Sequence, residues 1–120
     1  MYELMVEDTF HAAHALRGYQ GPCENLHGHS WKIQVFLKGD KLNKTGLLID
    51  FKEFKNNLKE VLDMFDHKLL NDIKPFDSEN PSSENLARFI YQAMKKKIGS
   101  VSKAVVWESA TAKAAYYEVQ

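Results

Sequence analysis

The chain has 120 residues, with 16 Lys and Arg against 16 Asp and Glu, five His, a single Cys, and 44% hydrophobic and 12% aromatic residues. That length suffices for one domain over residues 1–120 with a single core, and the lone Cys23 excludes an internal disulfide and fits a reducing compartment. Balanced charge argues against a nucleic-acid partner, and no apolar run approaches the roughly 20 residues that span a bilayer, so the reading is a cytoplasmic domain with a small-molecule or protein partner.

Tyr2 to Phe10 is predicted as a strand. Ser30 to Lys38 is a stronger one, because Trp31, Ile33, Val35 and Leu37 alternate with Lys32, Gln34 and Lys38, placing the apolar set on one face. After the turn residues Gly39 to Lys44, Gly46 to Ile49 predicts a third, short strand. The period changes at Asp50, where Asp50 as N-cap and Glu53 three residues later form a helix-start pair. Phe51, Phe54, Leu58, Val61, Leu62, Phe65 and Leu69 then follow at spacings of three and four, an apolar stripe for packing on a sheet. Asn71 to Pro81 contains Pro75 and Pro81 and breaks the helical pattern. Ser82 or Ser83 caps a second helix with Leu86, Phe89, Ile90, Ala93 and Met94 on its buried face and Gly99 at its stop. Val101 to Ser109 and Ala114 to Val119 complete the chain as strands. Strands, two helices, then strands predict an α+β fold with the helices on one face of the sheet.

All five histidines lie between positions 11 and 67, and the run Cys23-Glu24-Asn25-Leu26-His27-Gly28-His29 is the densest set of metal-ligand types. In an extended segment His27 and His29 share a face about 6.5 Å apart at the backbone. His14 is a candidate third ligand, and His11 competes with it, since residues three apart on a strand face opposite ways. Three neutral imidazoles suit Zn²⁺ and leave a fourth position open. Cys23 either closes that position, making the site structural, or stays free beside the ion as an acid/base.

Asp66-His67 stands where the first helix's stripe ends. Adjacent residues of a regular helix do not face each other, so an Asp–His dyad requires the helix to fray there; the alternative is a polar helix end. Glu108 continues the apolar run Ala104-Val105-Val106-Trp107. It is either an exposed strand end or a carboxylate that receives a ligand carrying paired N–H donors. Glu84, in the Ser82-Ser83-Glu84 helix start, reads first as capping and dipole compensation.

Six motifs in order resemble the 6-pyruvoyltetrahydropterin synthase/6-carboxytetrahydropterin synthase family. They are Phe10-His11-Ala12-Ala13-His14, Cys23 separated by three residues from His27-Gly28-His29, Gly46 to Phe51, Asp66-His67 with Leu70-Asn71, Glu79 to Ala87, and Trp107-Glu108-Ser109. The short Cys23–His27 spacing is similar to the bacterial carboxytetrahydropterin branch. The resemblance implies a tunnelling fold, in which a four-stranded antiparallel sheet with two helices on one face joins its neighbours' sheets in a barrel, usually a homohexamer with active sites where subunits meet. It further implies His14, His27 and His29 as zinc ligands, one zinc per subunit, Cys23 as catalytic thiol, Asp66 and His67 as the acid/base pair, and Glu108 as the pterin anchor. Ser83 and Glu84 match a segment near the pterin pocket more loosely. The implied reaction converts 7,8-dihydroneopterin triphosphate to 6-carboxytetrahydropterin, acetaldehyde and triphosphate on the route to queuosine. The alternatives are a pyruvoyltetrahydropterin synthase, a noncatalytic zinc- or pterin-binding module and a zinc hydrolase. His11 departs from the family, where Ser or Glu is usual, and Ser82-Ser83 stands where Thr is common.

Overall fold

Period-two alternation extends beyond the apolar residues that announce it. Strand β1 runs Tyr2–His14 and β2 runs His27–Gly39, and they pair antiparallel from Tyr2 opposite Gly39 to His14 opposite His27. In the computed structural model, which describes residues 1–18, 21 and 25–119, one face of this pair buries Val6, Phe10, Trp31, Ile33, Val35 and Leu37. The other carries Glu7, Thr9, His11 and Ser30, as alternation requires.

Helix α1, Phe51–Leu62, starts where expected: Asp50 caps it by accepting from the Lys52 N–H. Helix α2, Ser83–Lys97, is capped by Ser82, whose Oγ accepts from the Asn85 N–H at 3.1 Å. Phe54, Leu58, Val61 and Leu62 of α1 meet Leu86, Ala87, Ile90 and Met94 of α2 and the buried strand residues in one core. Strands β3 (Lys68–Leu69), β4 (Val101–Ser109) and β5 (Ala112–Tyr116) complete a sheet of order β3-β1-β2-β4-β5. The fold is α+β, with both helices packed on a mixed sheet. Among the described residues no helix is long and apolar enough to cross a membrane.

Four expectations change. The sheet has a fifth strand, because β3 pairs parallel with β1 at Ala12–Lys68 and Ala13–Leu69 beside the four antiparallel strands. Gly46 to Ile49 is not a strand: Asn43 Oδ1 accepts from the Thr45 N–H, the Thr45 hydroxyl and the Leu47 N–H, winding a local turn with Gly46 at φ 83°. That side-chain turn takes the donors a ladder would need. Helix α1 ends at Leu62 and not at Leu69, although Phe65 and Leu70 remain fully buried. Beyond it His67 adopts φ 59°, outside the right-handed helical region, and its N–H is taken by the His11 carbonyl at 2.6 Å. Strand β5 begins two residues early and stops at Tyr116, set by the tight turn that places Ser109 opposite Ala112.

Candidate functional site

His14 closes β1 and His27 opens β2 directly opposite it, while His29 lies on the same face two residues further along β2. The three rings sit edge to face, with centroids 4.5, 5.3 and 4.7 Å apart for the pairs 14–27, 14–29 and 27–29. Trp31 forms their floor, 4.9 Å from the His14 ring and 5.2 Å from that of His29. It is held there by stacking on Phe10 and by its Nε1–H donating to the Ala12 carbonyl at 3.2 Å. Strand β4 adds Glu108, whose Oε1 lies 3.3 Å from His14 Nε2 and 3.2 Å from His29 Nε2.

Backbone carbonyls orient two of these rings. His14 Nδ1 lies 2.7 Å from the Pro81 carbonyl and His27 Nδ1 lies 2.7 Å from the Asn25 carbonyl. A carbonyl only accepts, so each Nδ1 carries a proton and each ring turns its Nε2 inward, as a lone pair in the Nδ1–H tautomer. These two Nε2 atoms are 3.0 Å apart. Burial pushes the His14 pKa below the ordinary imidazole value, with His27 and His29 adding to the effect while the Pro81 bond and Glu108 oppose it. His29 is likewise lowered, chiefly by desolvation. Two lone pairs aimed at each other repel unless a cation or proton lies between them, and the lowered pKa of His14 disfavours the proton.

A metal ion fits this arrangement. Ligands about 2.0–2.1 Å from a tetrahedral zinc ion lie about 3.3–3.4 Å from one another. Three of the ligand–ligand distances here are 3.0, 3.2 and 3.3 Å, and all four ligand atoms lie within 4.8 Å of one another. His29 Nε2 is buried and makes no hydrogen bond, despite its 3.2 Å approach to Glu108. The donor set, three imidazoles and one carboxylate, is of the kind that holds Zn²⁺.

Asp66 and His67 form a separate pair. The left-handed His67 turns its Nδ1 to within 3.1 Å of Asp66 Oδ1, which also accepts the His11 N–H at 2.9 Å. The backbone of His11 therefore grips both residues, through its N–H and its carbonyl. That N–H, seconded by the His67 ring, holds the Asp66 carboxyl below the usual carboxylate range. The His11 ring stands 5.7 Å from His67 and bonds Ser30 Oγ through Nδ1 at 2.9 Å. Alternation along β1 puts His11 on the face opposite His14, so the dyad lies outside the histidine cluster. Ser83 and Glu84, at the start of α2, line a cleft of about 300 Å³ with Glu108, Ala112, Lys113 and Ala114. Cys23 lies outside the described residues.

Residues 3–119 match the 6-pyruvoyl tetrahydropterin synthase family. The chain belongs to this family. It is 33% identical to the 6-carboxy-5,6,7,8-tetrahydropterin synthase of Haemophilus influenzae over 98% of the chain and the whole of that protein. It is also 33% identical to the dihydroneopterin monophosphate aldolase of Pyrococcus furiosus, over 83% of each chain. Among solved structures, the 6-pyruvoyl tetrahydropterin synthase of Caenorhabditis elegans superposes with a TM-score of 0.90 at 25% identity, covering 98% of this chain and 96% of that one. The fold is thus the tunnelling fold of this family, and the chain is an enzyme of pterin metabolism.

Some of the family site's supports carry no sequence signal that marks them. Asn71 bonds both the N–H and the carbonyl of Ala15 at 2.9 Å through its side-chain amide, and Asn80 does the same for Arg17 at 2.8 and 2.9 Å. The Arg17 guanidinium donates to the carbonyls of Phe76 and Glu79. These bonds tie the loop from Asn71 to Pro81 against the end of β1, so that the Pro81 carbonyl meets His14. Loop asparagines are visible in the sequence, but not which backbone groups they satisfy. Glu108 was legible as an unusual carboxylate, yet its approach to the imidazoles depends on strand register.

Proposed function

We propose that this chain is a zinc-dependent 6-carboxytetrahydropterin synthase acting on 7,8-dihydroneopterin triphosphate. The products are 6-carboxy-5,6,7,8-tetrahydropterin, acetaldehyde and triphosphate, in the biosynthesis of queuosine. The observation that carries the reading is the convergence of His14, His27, His29 and Glu108 beside a cleft, in a chain of the pterin synthase family. His14, His27 and His29 would hold the ion. Bound zinc supplies a Lewis acid that stabilises negative charge as a proton leaves the substrate's side chain.

The chain's own groups carry the rest. Glu108 accepts paired N–H donors from the pterin's amino-pyrimidinone edge, fixing ring orientation, and Ser83 and Glu84 flank the same cleft. Cys23, as thiolate, removes the substrate proton, and His67, held by Asp66, returns or relays one. Because the dyad and the histidine cluster are apart within one chain, the complete site is assembled between subunits, in a homohexamer of the single domain 1–120. Support for assembly comes from β5, an edge strand whose outer backbone groups can pair with a neighbouring sheet.

The test is incubation of the zinc-loaded protein with 7,8-dihydroneopterin triphosphate and mass analysis of the pterin and aldehyde released. 6-Carboxytetrahydropterin with acetaldehyde is expected. A pyruvoyl product without acetaldehyde would assign the pyruvoyltetrahydropterin synthase reaction. Aldol-type cleavage of the monophosphate would assign the activity named for the Pyrococcus relative. No turnover by the metallated oligomer would leave a noncatalytic zinc- or pterin-binding module. Cys23→Ala should retain zinc while losing turnover; loss of zinc would make Cys23 a structural ligand.

A further inference from the structure

Glu108 stands between two binding partners. Its Oε1 is 3.3 Å from His14 Nε2 and 3.2 Å from His29 Nε2, at distances close to the edges of a zinc tetrahedron. The same residue lines the cleft of about 300 Å³ with Ser83, Glu84, Ala112, Lys113 and Ala114. Accepting a pair of parallel N–H donors takes both carboxylate oxygens in one plane. Completing a metal's coordination takes Oε1 and turns that plane toward the imidazoles. One carboxylate does not satisfy both partners at once. Its side chain is 29% exposed, which leaves room for rotation on the cleft side, whereas His14 is 1% exposed and tied to the Pro81 carbonyl. Of these two ligands, only Glu108 is free to move.

We propose that Glu108 is an exchangeable fourth ligand: in the resting protein its carboxylate closes the metal site, and an arriving pterin draws it into the cleft and opens that position. This rests on the zinc and pterin reading above. The imidazoles then form the permanent part of the site and the carboxylate its gate. Occupancy of the cleft is thereby coupled to the coordination number the metal offers, so the open position forms when substrate is present to fill it. Glu108 lies between Trp107, paired with Lys32 of β2 and Lys113 of β5, and Ser109, paired with Ala112, at the irregularity in the β4–β5 ladder; with its neighbours on both sides held, the change is a side-chain rotation with no rearrangement of the fold.

The test is spectroscopic and needs no turnover. The wild type, Glu108→Gln and Glu108→Ala are loaded with Co²⁺ in place of zinc, and visible d–d spectra are recorded without and with neopterin, whose binding is followed separately by its fluorescence. Expected results are a resting spectrum that both substitutions change, a Zn²⁺ affinity weaker by at least about tenfold in Glu108→Ala, and restoration of the resting spectrum of that variant by acetate. Neopterin should shift the wild-type spectrum. Glu108→Gln preserves shape and volume, and circular dichroism checks that it folds. The proposal is overturned if Glu108→Gln leaves the resting spectrum unchanged, or if bound neopterin leaves that of the wild type unchanged. It is also overturned by a thiolate-to-cobalt charge-transfer band in the resting protein, which would make Cys23 the closing ligand. Failure of the wild type to retain either metal would instead sink the zinc reading on which the proposal depends.

Discussion

Removing the proposed zinc ion should lower the melting temperature by about 10 °C. In the folded chain His14 and His27 turn their Nε2 atoms on each other at 3.0 Å with His29 beside them, a donor set the unfolded chain does not hold in place. A ligand bound only to the folded state stabilises it by RT ln(1 + [L]/Kd), which is about 2.7 kcal/mol when free zinc is held at 100 times Kd. A chain of this length has an unfolding entropy of about 0.25 kcal/mol/K, so that gain raises Tm by about 10 °C. His27→Ala removes one ligand and, in the metal-free protein, also removes the facing lone pair. Its chelated form should therefore melt near the chelated wild type, while its zinc-dependent increment largely disappears. Calorimetry of both proteins in buffered zinc and in chelator makes the comparison. An identical Tm for wild type in the two buffers, or a full zinc increment in His27→Ala, refutes the assignment. The sign of the pH dependence follows from His14 and His29, whose folded pKa values lie below the ordinary 6.5. Their contribution to the metal-free protein is complete above that value. As pH falls below it the unfolded chain takes up protons first, and stability declines until the folded pKa is passed.

Three substitutions probe the supports. Asn71→Ala deletes both bonds to the Ala15 backbone and should cost about 1–3 kcal/mol in denaturant unfolding; it should also weaken zinc binding, because it loosens the loop that carries the Pro81 carbonyl. Trp31→Phe leaves the Ala12 carbonyl without its donor and a gap beneath His14 and His29. The expected loss is about 1–3 kcal/mol by chemical denaturation, accompanied by weaker metal affinity. Asp66→Asn keeps an oxygen to accept the His11 N–H but removes the charge beside His67. Its melting temperature should match the wild type while kcat falls by more than about tenfold, and an unchanged kcat would remove the dyad from the chemistry.

Where the sequence misleads, a non-local partner or a local side chain outcompetes the pattern. Phe65 and Leu69 continue the apolar stripe of α1 in perfect period, and Phe65 is indeed fully buried. Past Leu62 the bonds tighten to three-residue turns at Met64 and Phe65, and the backbone of His11, 55 residues before Asp66, then captures Asp66 Oδ1 and the His67 N–H, so the pattern does not resume as helix. Periodicity reports which residues are buried, and says nothing of which donors a distant strand will take. Asn43 is the local counterpart: its carboxamide oxygen serves three donors, so Leu48 and Ile49 pack against the core without joining the sheet while Leu47 stays exposed. The α2 boundaries were legible because a serine cap, an apolar stripe and a glycine stop at Gly99 are all local signals.

The site divides along the same line. The spacing of His27 and His29 puts the two on one face, and it took the family resemblance to mark them as ligands; the alternation of β1 allows only one of His11 and His14 beside them, and pairing of β1 with β2 places His14 there. Glu108 comes from β4, and its distance to the imidazoles depends on how β4 is registered against β2, where Lys32 falls opposite Trp107. Only that register shows that the carboxylate confronts His14 and His29 as well as the cleft. The consequence is electrostatic. Under the proposed function, three imidazoles and one carboxylate around a divalent cation would leave one net positive charge, and withdrawal of the carboxylate toward a pterin would raise it to two as the anionic substrate settles. In a chain whose formal charges cancel, the field that favours a polyphosphorylated substrate would thus be governed by the orientation of a single side chain.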